Sequence, residues 1–417
     1  MPRLLSIFLA CALVLCCSDM RIQAAEYDVY FDGTGDFTAI QDAIDVASDG
    51  DVVIVHPGIY YENIHFGGKN IALRSVDPED EETVTSTVID GQQRDSVVTF
   101  EGNEDETCSI AGFTITNGRA DTGGGIIGGD ILSNPAAYSM AEIKNCVVTR
   151  NIAAGLSWGG GGLFLCYGPI TNCRISDNLA LCGGGLSLCR GPITHCKIID
   201  NSATGLGGGL YASYGAISGC VISGNSAEDG GGIFHHRGPI RDCVISGNTA
   251  ENDAGGLYDC QGTISNCDID GNSAGWDGGG AHHCRGTMSD CLIRDNYAGE
   301  YGAGLFAHFG TLDNCSITGN SADNSGGGAY GCDGIIDGCL IRDNYALLNT
   351  GGLYDCNSMI IRCEISGNSS SGNSGGISGC SGLIVDCLII ENSAEGNGGG
   401  LSYCDGTIRN CITELCI

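Results

Sequence analysis

Twelve cysteines, at positions 146, 173, 196, 220, 243, 267, 291, 315, 339, 363, 387 and 411, recur at intervals of 27, then 23 or 24, and for the last seven steps 24 residues. Other residues keep step with them. Five positions after each cysteine from Cys146 to Cys387 stands an asparagine, from Asn151 to Asn392, and two positions after, from Cys173 to Cys387, an isoleucine, from Ile175 to Ile389. Three before is an aliphatic residue such as Ile170, Ile264, Met288 or Ile408, and eleven before is a glycine, from Gly162 to Gly400. A fixed period of this length marks a solenoid whose units bury their apolar faces only against their neighbours.

Apolar positions two apart, in runs of three to five residues bounded by Gly, Asn and Asp, read as short strands with alternate side chains inward. Glycine density and β-branched residues exclude helix. A coil of 24 residues has room for three such strands, each pairing in parallel with its equivalent above and below. The fold class is therefore all-β, a right-handed parallel β-helix, with columns of Ile, Cys and Asn inside. A buried amide both donates and accepts, so stacked asparagines satisfy one another and the turn backbone. The residue before each Asn is mostly Gly or Asp, as a left-handed turn position requires.

The repeat AGGLYDCQGTISNCDIDGNSA, Ala254 to Ala274, resembles the GGA(I/L)…FxxN repeats of bacterial polymorphic outer-membrane proteins, with Ile269 in place of Phe before Asn272. The segment DGTGDFTAIQDAIDVASDGDVVIVHPGIYYENI, Asp32 to Ile64, is similar to the opening of pectin lyase-like proteins, pectin methylesterases among them. These resemblances imply the β-helix fold over nearly the whole mature chain and leave activity open, because the superfamily holds lyases, hydrolases, esterases, epimerases and non-enzymatic adhesins.

Residues 1–25 carry Arg3, an apolar run from Leu4 to Cys17 and small residues at Ala24 and Ala25. That is the layout of a secretory signal peptide, too short to span a bilayer. Residues 26–145 read as an N-terminal cap with irregular first coils, and residues 146–417 as regular repeats ending inside a repeat, with Cys416 where Asn belongs. Ile40, Ala43, Ile44 and Ala47 lie at helical spacing within Thr38 to Ala47, which predicts a short amphipathic helix capping the solenoid. Strands are expected at Val52 to Val55, Ile71 to Leu73, Val97 to Phe100 and Phe113 to Ile115. About ten extra residues between Gly125 and Ile143 are expected to project as a loop.

Three of the 26 cysteines fall in the leader, leaving an odd 23. A second cysteine often stands seven residues before the first, as in Cys166 and Cys173 or Cys260 and Cys267, but Ser213, His236 and His308 interrupt that column. The main column is expected to be buried thiols, with disulfides in some coils as the alternative.

With 18 Lys+Arg against 50 Asp+Glu the formal charge is −32, which argues against nucleic acid as a partner. After residue 25 no apolar stretch is long enough for a membrane span. Five of eight histidines cluster in three coils: His235, His236, His282, His283 and His308. Eight before the main cysteine, successive coils carry His235, Asp259 and His283, two imidazoles and a carboxylate that would suit a divalent metal, calcium or zinc, although no cofactor motif accompanies them. Arg237 and Arg285 follow two residues on, with Phe234, Tyr258 and Phe306 in the preceding column. His235, Arg237, Tyr258, Asp259, His283, Arg285 and His308 are the candidate substrate-binding residues, the rings to stack on sugars and the cations to hold uronate carboxylates. Arg294 and Arg342, in two Ile-Arg-Asp-Asn runs, read as solvent-facing turn residues.

Two functions stand. One is a secreted or cell-surface, adhesin-like protein that binds extracellular polysaccharide or another surface component. The other is a polysaccharide-active enzyme, a lyase or esterase working on acidic polysaccharide.

Overall fold

The computed structural model describes residues 24–129, 138–155 and 158–413, so residues 1–23 of the leader, the tip of the inserted loop and Cys416 lie outside the described residues. The chain is a parallel β-solenoid with four sheets, not three, of 16, 15, 12 and 14 strands. One coil runs Ile264–Ser265 in the first sheet, Asp268–Asp270 in the second, Ser273–Ala274 in the third and Ala281–His282 in the fourth. Each pairs in parallel with the equivalent residues of the next coil: Ile264 with Met288, Ile269 with Ile293, Ala274 with Ala298, Ala281 with Leu305. The additional sheet is the short strand after each Asn, in most coils a pair such as Ser273–Ala274 or Tyr297–Ala298, too short to carry its own alternation of apolar and polar residues.

The core is the set of columns read from the repeat. Ile269 and Asn272 are fully buried and Cys267 is 2 % exposed. Asn272 Nδ2 donates to Asn296 Oδ1 at 3.0 Å and to the Ile245 carbonyl at 2.9 Å, while its Oδ1 accepts from Asn248 N and Nδ2 at 3.0 and 2.9 Å. The same pattern recurs along the column, so every amide is satisfied without water. The 22 described cysteines are all free thiols, most of them buried. Cys267 Sγ, for example, donates to the Ser265 carbonyl at 3.2 Å.

Gly255 and Gly256 show why glycines line the entry to the fourth sheet. A Cβ at Gly255 would lie 2.5 Å from the Ser273 nitrogen, and one at Gly256 2.4 Å from the Gly280 oxygen. The left-handed residue expected before each Asn is present, as at Asp295, φ 55°. Two further corners of the coil are left-handed as well: one before the main cysteine, as at Asn266, φ 51°, and one after the fourth sheet, as at His235, φ 56°.

At the N-terminal end, helix α1, Ile40–Val46, buries Ile40, Ala43 and Ile44 against the first coils. The Glu62 carboxylate receives the Ile40 and Gln41 N–H groups, both at 2.9 Å, and so caps the helix from a later part of the chain. A second helix, α2, Glu81–Ser86, opens on Asp80, which accepts from Thr83 N at 2.8 Å. Expected strands fall at Val52–Val55, Ala72–Ser75, Val98–Thr99 and Thr114–Thr116. The inserted loop leaves and returns at one corner, where Ser139 N donates to the Gly128 carbonyl at 2.7 Å.

Candidate functional site

In the fourth sheet the apolar residue of each strand points inward and the next one outward: Leu257 is fully buried while Tyr258 beside it is half-buried. Outward positions of seven successive coils hold rings, Tyr211, Phe234, Tyr258, His282, Phe306, Tyr330 and Tyr354, with centroids 5.7, 4.6, 4.8, 4.8, 5.3 and 5.3 Å apart. Most are nearly coplanar in stacking, down to 4° between His282 and Phe306. Their faces cover one another along the axis, so the expectation that Tyr258 stacks on a sugar is corrected: the ladder presents ring edges and tyrosine hydroxyls instead.

The next residue in each coil is the left-handed corner, and it places His235, Asp259 and His283 in one row. His235 Nδ1 lies 2.6 Å from Asp259 Oδ2, which assigns the ring proton to Nδ1 and leaves Nε2 as the acceptor. Arg237 Nη2 stands 3.4 Å from that Nε2, and Arg285 Nε is 3.8 Å from Asp259 Oδ1. His283 turns away, stacking on Phe309 with centroids 5.8 Å apart and meeting His282 edge-on at 4.2 Å. The expected metal triad of His235, Asp259 and His283 does not converge. Among the described residues the side chains whose ligand atoms all lie within 4.8 Å of one another are Asp253, Asp277 and His282.

Two residues beyond the corner runs a mixed column. Tyr138 stacks on Tyr167 at 4.8 Å, Arg190 lies 4.9 Å from the Tyr167 ring and 5.2 Å from Tyr214, Arg237 5.5 Å from Tyr214, and Arg285 6.0 Å from Phe309. These guanidinium groups are exposed. His308, by contrast, is 1 % exposed and does not join the surface. With His236 it occupies the interrupted cysteine column, and all four ring nitrogens of this pair are buried without a hydrogen-bond partner. Burial holds both imidazoles well below the usual range, at about 4. The column turns inward at this position because neighbouring coils place Cys260, Cys284 and Cys332 there, 1 % exposed each.

On the other flank of the ring ladder runs a row of carboxylates that the repeat spacing carries but that pass for ordinary surface acids. Asp229, Asp253 and Asp277 each stand 14 residues before a main cysteine. Asp253 Oδ1 accepts from Asp277 N at 3.2 Å and Asp277 Oδ1 from Tyr301 N at 3.0 Å. Each carboxylate thus commits one oxygen to the coil below and keeps the other free. Burial raises the Asp253 carboxyl and pushes Asp277 up to about 6. His282, 3 % exposed, is pulled down to about 3 by burial, with a smaller contribution from His283. Its 3.8 Å approach to Asp253 is therefore not an ion pair at neutral pH. Elsewhere, Arg294 is held by Asp268 and Asp270 at 3.0 and 2.9 Å, a strand-face ion pair rather than a free turn residue. A cleft of about 350 Å³ beside α2 brings Arg174, His195 and Lys197 opposite Glu79 and Glu81.

Among the described residues no helix is long and apolar enough to cross a membrane. A family model described as a right handed beta helix region matches residues 96–273. No curated protein matches the sequence. Among solved structures, the chain is similar to the Azotobacter vinelandii mannuronan C-5 epimerase AlgE6 A-module, at 13 % identity and a TM-score of 0.34, covering 90 % of this chain and 94 % of that one. It is similar to the PL6 family polysaccharide lyase Pedsa3628 from Pseudopedobacter saltans, at 10 % identity and a TM-score of 0.30, covering 94 % and 92 %. A third is the pectin methylesterase from Aspergillus niger, at 13 % identity and a TM-score of 0.17, covering 93 % and 85 %. Each activity is that enzyme's own.

Proposed function

We propose that this pectin lyase-like right-handed parallel β-helix is a secreted or cell-surface, adhesin-like protein that binds an acidic polysaccharide along the corner carrying Arg190, Arg237 and Arg285. The observation behind this reading is the stacking of guanidinium groups on aromatic rings in a chain with only 18 Lys+Arg against 50 Asp+Glu. A guanidinium held over a ring keeps its in-plane donors free at its edge, the geometry that takes a carboxylate bidentately. The three arginines stand on every second coil, so the cations repeat at roughly 10 Å along the axis. A polymer with carboxylates on one side at a matching interval would meet several at once, and weak single contacts would add through avidity. The tyrosine hydroxyls of the neighbouring ladder supply donors for sugar oxygens.

The test is retention of the purified chain on immobilised acidic and neutral polysaccharides, with calorimetry on any that hold it. Binding to an acidic polymer that weakens about tenfold or more in Arg237→Gln/Arg285→Gln supports the proposal. Failure to bind any acidic polymer, or binding that the double variant leaves unchanged, refutes it.

The Asp259–His235–Arg237 line favours a second reading on the same corner, a lyase. Asp259 holds Nδ1, so Nε2 is the basic nitrogen. A uronate carboxylate that draws Arg237 to itself would free that nitrogen beside the proton α to the carboxylate. Accumulation of unsaturated uronate ends, lost in His235→Ala, would move the chain from binder to enzyme.

A further inference from the structure

We infer that Asp253, Asp277 and His282 form a binding site for a divalent transition metal of the zinc type. The proposal stands apart from the polysaccharide reading, since it uses neither the arginine column nor His235.

Geometry comes first. The three ligand atoms already lie within 4.8 Å of one another, and His282 Nε2 is 3.8 Å from Asp253 Oδ2. Ligands about 2.1 Å from a tetrahedral zinc stand about 3.4 Å apart, so closing the site takes side-chain adjustments of well under an ångström at that pair. At Asp253 the oxygen that faces the imidazole, Oδ2, is the free one, because Oδ1 accepts a backbone N–H of the following coil, and Asp277 likewise commits its Oδ1 and keeps Oδ2 available.

The imidazole gives an independent reason. His282 is 3 % exposed, makes no side-chain hydrogen bond through either nitrogen, and its Nδ1 is fully enclosed without a partner. Its ring is locked between Tyr258 and Phe306, each 4.8 Å away, so it cannot swing out to find water. A histidine confined only to fill the ladder could be another phenylalanine, as Phe234 and Phe306 are. Its nitrogen instead faces two half-buried carboxylates, an arrangement a cation would stabilise. One nitrogen and two oxygens suit zinc, manganese or cobalt. Calcium prefers six to eight oxygen ligands, which this set does not supply. Three protein ligands also leave a position for water or a ligand atom.

The experiment titrates cobalt(II) into the dialysed, metal-free full chain, followed by visible and near-ultraviolet absorbance, and then adds zinc. The expected result is one saturable equivalent with ligand-field bands of nitrogen and oxygen coordination, displaced by zinc. Affinity should fall roughly tenfold or more in His282→Phe, which preserves the ring ladder, and in Asp277→Asn. Circular dichroism checks that both variants keep the fold. Three results would each overturn the proposal: no saturable binding, binding unchanged in His282→Phe, or a thiolate-to-cobalt charge-transfer band placing the metal on the cysteine columns.

Discussion

Acid should unfold this protein through two core histidines that touch no ligand. His236 and His308 are sealed in the cysteine column with every ring nitrogen unpartnered, and both titrate near 4 in the folded chain against about 6.5 when exposed. Their folded values are depressed, so the stabilisation is complete above about pH 6.5 and is lost as pH falls toward 4, where the unfolded chain binds protons that the folded chain refuses. That interval, at about 1.4 kcal/mol per pH unit, comes to about 3–4 kcal/mol for each imidazole. Both together remove about 7 kcal/mol, comparable to the whole stability of many domains. Asp277, raised to about 6, and relief of the −32 charge work in the opposite direction over part of the window, while His282, held at about 3, adds a loss of the same sign in parent and variant alike, so the informative quantity is a difference between variants. The repeat supplies the replacement: His236→Cys and His308→Cys restore the residue of neighbouring coils. Urea midpoints read by far-ultraviolet circular dichroism at pH 7.5, 6, 5 and 4.5 should fall steeply in the parent and much less in the double variant. Equal loss in both over that range would refute the argument, whatever the variant's stability at neutral pH.

Asn272→Ala removes an amide that donates to Asn296 and Ile245 and accepts twice from Asn248, leaving buried groups unmet at about 1–3 kcal/mol each. We expect a loss of roughly 3–5 kcal/mol, seen as faster hydrogen exchange in the flanking coils. Gly256→Ala would set a Cβ 2.4 Å from the Gly280 oxygen, a backbone atom with nowhere to move, and should cost more than about 2 kcal/mol by denaturant midpoint. Of the described thiols only Cys404 and Cys411 are partly exposed, so a colorimetric thiol reagent should find few reactive groups in the native chain and the full set after denaturation. Rapid native modification of most thiols would mean that the columns breathe.

Period, core columns and capping helix were all legible in the residues because each depends on side-chain identity repeated at one spacing. Ile269, Cys267 and Asn272 declare themselves by recurrence, and Ile40, Ala43 and Ile44 by helical spacing. The third sheet stayed hidden since Ser273–Ala274 is two residues long and looks like turn. The site was legible in composition but not in direction. Whether a residue after the fourth sheet points outward depends on a left-handed corner, and the same short stretch aims His235 out and His236 in. The Asp229, Asp253 and Asp277 column was present at constant spacing, yet acids are so frequent here that only their approach to a buried imidazole sets them apart.

Because every coil repeats the same pairing at nearly the same length, this molecule can change in quanta. Excising one coil between equivalent points, such as Gly256 and Gly280, should rejoin Leu257-type and Ala281-type strands without a mismatch in any sheet, leaving a rod one step shorter. Whatever is written on the outside is then re-spaced, not rewritten: losing the coil that carries Gln261 would bring Arg237 and Arg285 onto adjacent rungs and halve the interval between their charges. Such a chain can evolve the pitch of its surface by gaining or losing whole units, while the interior that holds it together is unaware of the edit.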